Sequence, residues 1–523
     1  MKKHLSSLAT VGLSAFVLSP SVRADVVPAL PFGDNAVLQR DKALPVWGTA
    51  DAGEKVTVTF SGKTATTTAD ATGKWRVDLP ALPASFVPAD LVMKGKNTVT
   101  RTNILVGEVW LASGQSNMEM MVKESFEASL EIPGSARFPM IRHIRTDSKL
   151  SQVPQTTGSG MWKVAGPETT GDFTAIGYYF ARALYENLNV PVGIINNTRG
   201  ASNIRAWIDP VVLKTDPTIA DTAKLWAEVW AANTVKYPAL RAKLDTEIAQ
   251  WEKDKAAAEA AGKPFTKRKP DEGWGGFPGG PYDMGQPAGM FNGMIHPYVP
   301  YALRGFIWYQ GEANNGQHNG YDKLFPAMIK GWRAQFGQGD IPFYWSQLAA
   351  HGSPTATKMA YFREAQGKAQ ALPNTGQAVN VDVGDSGNIH PRRKQDVGRR
   401  LARIALARTY GQKIIDSGPV FKEAVREGEG FRVSFTNTGL QNRLTTEQSS
   451  LEGFELAGAD RVFKPAKAVI SPDQTTVLVT SADVPEPVAL RYAWRDFPKA
   501  GLFNREGLPA VPFRTDDWPH TGE

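Results

Sequence analysis

The run Gly114-Gln115-Ser116-Asn117-Met118 follows directly on an apolar stretch, Ile104–Ala112, that reads as a β-strand. A serine at the carboxyl end of such a strand, preceded by glycine, falls in the crevice where parallel α/β sheets bind ligands. Its hydroxyl is exposed there, and its backbone N–H, at the start of a turn or helix, is free to stabilise an oxyanion. A lone serine after a strand is also a common helix cap, so the chemistry requires a base. Beyond His4 the candidates are His143, His296, His318, His351, His390 and His520. His390 has the strongest context: it follows the last expected strand, Ala378–Val383, and opens a helical pattern marked by Val397, Leu401, Ile404 and Ala405. That brings it to the same sheet edge as Ser116. A strand-end serine early in the chain and a strand-end histidine late in it fit acyl transfer by a Ser–His couple. His143 and His520 read as surface residues, and His296 as a hydrogen-bonded structural histidine.

Composition removes most other chemistries. The 523 residues include no Cys, which excludes a disulfide framework, thiolate metal sites and a Cys nucleophile. No two His stand at ligand spacing with a carboxylate, so a zinc deacetylase is set aside and no cofactor is expected. The formal charge of +7 is not gathered into long basic runs, which argues against a nucleic-acid partner. Part of that charge sits in Met1-Lys2-Lys3-His4, followed by an apolar stretch from Leu8 to Leu18 and by Val22-Arg23-Ala24. A basic start, a short apolar core and a small-residue cut site describe a secretory signal over 1–24, cleaved after Ala24. No later stretch approaches 18 uninterrupted apolar residues, so a soluble periplasmic or secreted protein without a membrane partner is expected.

The elements that must position Ser116 and His390 are legible in outline. Over 25–103, Val56, Val58 and Phe60 alternate with Lys55, Thr57 and Thr59, and Trp75, Val77 and Leu79 alternate with Arg76 and Asp78, predicting a β-sandwich. Over 104–414, strand-like runs at Ile104–Ala112, Pro191–Asn197, Arg304–Tyr309, Pro342–Gln347 and Ala378–Val383 alternate with helical patterns. This predicts a three-layer α/β/α domain on a parallel sheet. An insertion at about 209–290 carries Leu240, Leu244, Ile248 and Trp251 at helical spacing and then a Gly/Pro/aromatic loop, which reads as a helical hairpin with a long loop. Trp274, Phe277 and Tyr282 in that loop are candidates for a sugar-binding rim. From 415 to 523 the alternation returns as a C-terminal β-rich domain.

Three motifs in order, Gly114-Gln115-Ser116-Asn117-Met118, Trp308-Tyr309-Gln310-Gly311-Glu312-Ala313-Asn314 and Ile389-His390-Pro391-Arg392-Arg393-Lys394-Gln395, resemble the sialate O-acetylesterase family. That family is a branch of the SGNH hydrolases that also holds plant-polysaccharide acetylesterases such as xyloglucan acetylesterases. The resemblance extends over Asp34–Arg40, Gly107–Leu111, Val488–Trp494 and Asn504–Pro509. It implies Ser116 as nucleophile, His390 as general base, and an oxyanion hole of the Ser116 N–H, the Gly200 N–H and the Gln310 amide. Relatives carry an acid before Ala-Trp where this chain has Arg205. The Asp three residues before the His in many SGNH enzymes is here Gly387, which leaves Asp385, Asp382 or a backbone carbonyl to orient the imidazole. Glu312 is expected to contact substrate or to brace the Ser116 loop.

The implied activity is that of an exported carbohydrate O-acetylesterase with an O-acetylated sugar as its partner. A sialic acid carboxylate suits Arg199 or Arg205, whereas a neutral hemicellulose such as xyloglucan suits an aromatic cleft around Trp274. A non-catalytic glycan-binding protein and a short-chain lipid esterase are the alternatives.

Overall fold

Six parallel strands and one antiparallel edge strand form the sheet that carries the site. They are β1 (Thr98–Gly114), β2 (Ile141–Arg145), β3 (Trp162–Val164), β4 (Val192–Thr198), β5 (Gly305–Tyr309), β6 (Phe343–Ser346) and β7 (Thr375–Ala378), in spatial order β3-β2-β4-β1-β5-β6-β7. The computed structural model describes residues 25–273, 276–439, 441–446 and 450–520, so residues 1–24, where a secretory signal is expected, and Trp274 lie outside the described residues.

β4, β5 and β6 are buried at every position, as expected for strands covered on both faces. Trp110 of β1 is level with Gly305 of β5, and Trp308 is three residues further along β5. Because side chains alternate, the two tryptophans point to opposite faces. On one face Trp110 meets Phe180 of α2 (Ala175–Leu188), 5.0 Å between ring centres. There α6 (Lys394–Arg408) crosses α2 so closely that a β-carbon on Gly398 would come within 2.7 Å of Tyr179 Cβ. On the other face Trp308 and Phe306 pack on Trp332 of α4 (His318–Phe336), with α5 (Lys358–Gly367) beside it. The architecture is the three-layer α/β/α arrangement expected, with β-rich regions at both ends of the chain.

β1 is the hinge between two regions. Its first half, alternately exposed, pairs antiparallel with Ser85–Lys94, and its second half is buried at the centre of the parallel sheet. A single hydrophobic core accordingly runs from Val26 to Leu406. A second core occupies the C-terminal region around Val433, Leu456, Val477 and Tyr492. No helix among the described residues is long and apolar enough to cross a membrane.

Three expectations are corrected. The last parallel strand is Thr375–Ala378, not Ala378–Val383: Val379 and Val381 are drawn into the C-terminal core, so the chain leaves the sheet there. β2 and β3 belong to the sheet although Ile141-Arg142-His143-Ile144-Arg145 carries too many polar residues to read as a buried strand. The insertion is not a helical hairpin. It holds one 41-residue helix, α3 (Ala220–Ala260), and the chain then returns as irregular backbone. Pro264 and Pro270 deny the return a helical ladder. It is pinned instead by Phe265 edge-on to Trp251, by the Trp251 indole N–H on the Lys267 carbonyl (2.8 Å), and by Glu272 accepting from the Tyr237 hydroxyl (3.0 Å) and Arg241 (3.1 Å).

Gly114, where β1 ends, decides whether the serine can be presented. Its φ is +130°, and a β-carbon there would stand 2.1 Å from the Tyr309 carbonyl oxygen of the neighbouring strand. Gly114→Ala is expected to cost about 3 kcal/mol or more, read as a lowered urea midpoint.

Candidate active site

The carboxyl ends of β4, β1 and β5 are level, Thr198 with Gly114 and Gly114 with Tyr309. The chain turns there through Gln115 into a four-residue helix, α1 (Ser116–Glu119). Gln115 locks two loops together: its N–H donates to the Tyr309 carbonyl (2.9 Å), and its side-chain oxygen accepts from the Gly311 and Ala313 N–H groups (3.1 Å each). Ser116, the next residue, is half-buried with its hydroxyl facing the loop before α6.

There His390 Nε2 lies 2.7 Å from Ser116 Oγ. Burial holds the His390 imidazole below the usual histidine range; the nearby Lys394 and His351 act in the same sense, and Glu124 acts against them. The ring is therefore neutral at neutral pH and able to accept a proton from the hydroxyl. A hydroxyl and a neutral imidazole at this distance have the geometry that nucleophilic catalysis requires.

Asn117 fastens the two partners together from behind. It is 1% exposed, and its amide donates to Glu312 Oε1 (2.5 Å) and to the carbonyl of Ile389 (3.0 Å), the residue before His390. Its carbonyl oxygen accepts from Lys394 Nζ (2.5 Å). Lys394 is fully buried, and burial pulls its ammonium down to about 7; the same burial pushes the Glu312 carboxyl up. One amide thus separates a buried cation from a buried carboxyl and joins the turn bearing Ser116 to the turn bearing His390.

The Gly200 N–H, on the loop after β4, donates to Glu119 Oε2 (2.6 Å), and Glu119 Oε1 takes Arg145 Nη2 at 2.6 Å. Gln310 is completely buried. Its amide donates to the Ser202 carbonyl (3.1 Å) and to Asn314 Oδ1 (2.7 Å), and its oxygen accepts from the Tyr321 hydroxyl (2.9 Å). Its amide donors, like the Gly200 N–H, are engaged within the protein. Asp382 is held in a two-bond pair with Arg400 of α6 (2.7 and 2.6 Å). Asp385 caps its own turn, Oδ1 accepting from the Gly387 (2.9 Å) and Asn388 (3.1 Å) N–H groups. Among the described residues neither carboxylate is hydrogen-bonded to the His390 ring; each is claimed by a nearer donor.

Comparison with known proteins gives the family. The family described as carbohydrate esterase, sialic acid-specific acetylesterase matches residues 290–407, which contain the Gln310–Asn314 loop, His390 and Lys394. A carbohydrate acetylesterase from Xanthomonas citri, known from its crystal structure, is 36% identical and superposes with a TM-score of 0.77, over 94% of this chain and 100% of that one. The chain belongs to the sialate O-acetylesterase family. The sialate O-acetylesterase of Rattus norvegicus is 28% identical over 529 residues, covering 91% of this chain and 92% of its own. That of Homo sapiens is 26% identical over 535 residues, 92% and 90%. As a member of this family the protein is a carboxylic ester hydrolase, a carbohydrate O-acetylesterase.

The remaining expected residues of this esterase fall as follows. Arg199 Nε lies 3.4 Å from the Met284 sulfur, and Arg205 is half-buried beside Asp283 with its Nε unpartnered. Both therefore face the insertion loop. Glu312 is part of the Asn117 bridge. Tyr282 is exposed and Phe277 half-buried. His143 is not on the surface: it stacks on Phe173 at 4.4 Å, and burial takes its imidazole down to about 3. His520 is half-buried against Tyr361, and His296 bonds the Gln155 carbonyl at 2.8 Å as a structural histidine should. Asn117, Lys394, Glu119 and Arg145 had not been singled out. Lys394 carried a usable signal, since it stands three, four and seven residues before Val397, Gly398 and Leu401 on the buried face of α6.

Proposed function

We propose that this esterase releases acetate from O-acetylated glycans, sialate or hemicellulose, through an acetyl-enzyme on Ser116. The 2.7 Å contact between Ser116 Oγ and His390 Nε2 carries the reading. Ser116 Oγ attacks the acetyl carbonyl carbon as His390 Nε2 takes its proton. The carbonyl oxygen, now an anion, is held by the Ser116 N–H and by the Gly200 N–H once Glu119 yields it. Collapse breaks the bond to the sugar oxygen, which leaves as the alcohol with the proton from His390. A water then gives its proton to His390, attacks the acetyl carbon and releases acetate and the free serine. With Asp382 and Asp385 engaged elsewhere, the couple works as a Ser–His dyad, and the charge of Glu124 favours the transient imidazolium. Secretion through cleavage after Ala24 belongs to the same reading, as does a division into regions 25–103, 104–414 and 415–523.

Acetate release from an O-acetylated sialic acid, acetylated xyloglucan, acetylated xylan and a short synthetic acetyl ester tests it. Release from at least one glycan is expected; no release from any of the four overturns it. The dyad makes a second prediction. Asp385→Asn is expected to change kcat by no more than about threefold, whereas an aspartate that orients a catalytic imidazole is worth about 10⁴-fold.

A further inference from the structure

Beside the site, on the β2 side, opens a cavity of about 580 Å³ that nothing in the mechanism above uses. Its walls include Met121, Arg145, Asp147, Ser159, Met161 and Lys163, and the stacked rings of His143 and Phe173 also line it. It is coupled to the reaction centre through a short chain of contacts. Arg145, at the carboxyl end of β2, donates to Glu119, and Glu119 accepts the N–H of Gly200. Glu119 itself is three residues beyond Ser116, and Met121 five. Glu119 thus joins the Gly200 N–H on one side to Arg145, in the wall of this cavity, on the other.

The chemistry of the walls is that of a sugar site. Two methionines, one of them Met161 at 76% exposure, offer apolar surface for the C–H face of a pyranose. Around them stand polar groups able to meet hydroxyls as donors or acceptors, including Asp147 with Ser159 (2.5 Å). The charges balance, Arg145 and Lys163 against Asp147 and Asp172, with Asp172 further paired to Lys123 (2.8 Å). The volume lies within the range of small-molecule sites.

We propose that this cavity seats an uncharged sugar unit of the acetylated chain, next to the unit that carries the ester. The proposal rests on the Ser116–His390 reading and gives that site a preference for neutral glycans over acidic ones.

The probes are an acetylated xylohexaose and an O-acetylated sialic acid, titrated calorimetrically against the Ser116→Ala protein. The xylohexaose is expected to bind more tightly. Met161→Arg, at an exposed position, is expected to weaken that binding by about tenfold or more, the scale of a lost pocket contact. In the otherwise intact enzyme the same substitution is expected to lower the ratio of kcat/KM for the hexasaccharide to that for a short synthetic ester by a similar factor. Lys163→Glu, which breaks the charge balance, is expected to act in the same direction. Unchanged binding and an unchanged ratio in both variants overturn the proposal, and tighter binding of the sialic acid overturns its neutral class. If the wild type hydrolyses no ester, the underlying esterase reading fails, while calorimetry still reports on the cavity.

Discussion

Ser116→Ala is expected to lower kcat for acetate release by about 10⁴- to 10⁶-fold, the loss seen when a serine hydrolase is deprived of its nucleophile. KM should change little, because among the described residues the hydrogen-bond partner of the Ser116 hydroxyl is His390. The thermal midpoint should also hold within about 2 °C, since the substitution removes a half-buried hydroxyl and opens no cavity. The decisive comparison is with His390→Asn and with the double variant. If Oγ and Nε2 act as one unit, each single change removes nearly the whole effect, and the double variant is no slower than either. Additive losses would mean that the two groups act independently and that the 2.7 Å contact is not catalytic. Acetate release by Ser116→Ala above about 1% of wild type would place the nucleophile elsewhere.

How far the sequence disclosed this site follows from what local pattern can encode. Ser116 and His390 were legible because each follows a strand and opens a helix, a context that survives without knowledge of packing. The sheet was legible where strands are uniformly apolar, as in Phe306–Trp308, and was missed at β2, whose Arg142 and His143 are buried. The end of the last strand was misplaced because Val379 and Val381 are apolar for the sake of a different core. The hydrogen-bond partners of Gln310, Asp382 and Asp385 were not legible, for a common reason. A motif position names a side chain but not its hydrogen-bond partners, which here are Asn314, Arg400 and the Gly387 and Asn388 amides. Lys394 sits in the run Arg392-Arg393-Lys394, which reads as solvated charge; only its phase with Val397 and Leu401 marks it as inward-facing.

That buried lysine is the second place where a single change should have a large effect. In Lys394→Met the Asn117 carbonyl loses its ammonium donor, and the Glu312 carboxyl is left buried without the cation that offsets it. Removing one member of such a buried pair costs about 3–5 kcal/mol. The ammonium also lies 5.7 Å from the centre of the Tyr309 ring, a contact that methionine replaces only in part. Activity should fall as well, because Asn117 links the Ser116 turn to the Ile389 carbonyl and loosens when one of its ends is unbonded. A purely structural defect would stop there, but the pH profile separates the two effects. His390 must be neutral to accept the serine proton, so the rate falls as the pH drops through its pKa, which lies below the usual value of about 6.5. In that range Lys394, with its pKa near 7, is protonated, and its charge is one of the causes that hold His390 down. Removing it should therefore raise the midpoint of the acidic limb toward the ordinary histidine value. The double variant Lys394→Met with Glu312→Gln restores charge balance and should recover much of the stability, as replacing both members of a buried pair commonly does. The limb should nevertheless remain shifted upward, because the cation beside His390 is still missing. A limb that returns to its wild-type position in the double variant would show that Lys394 acts on the fold alone.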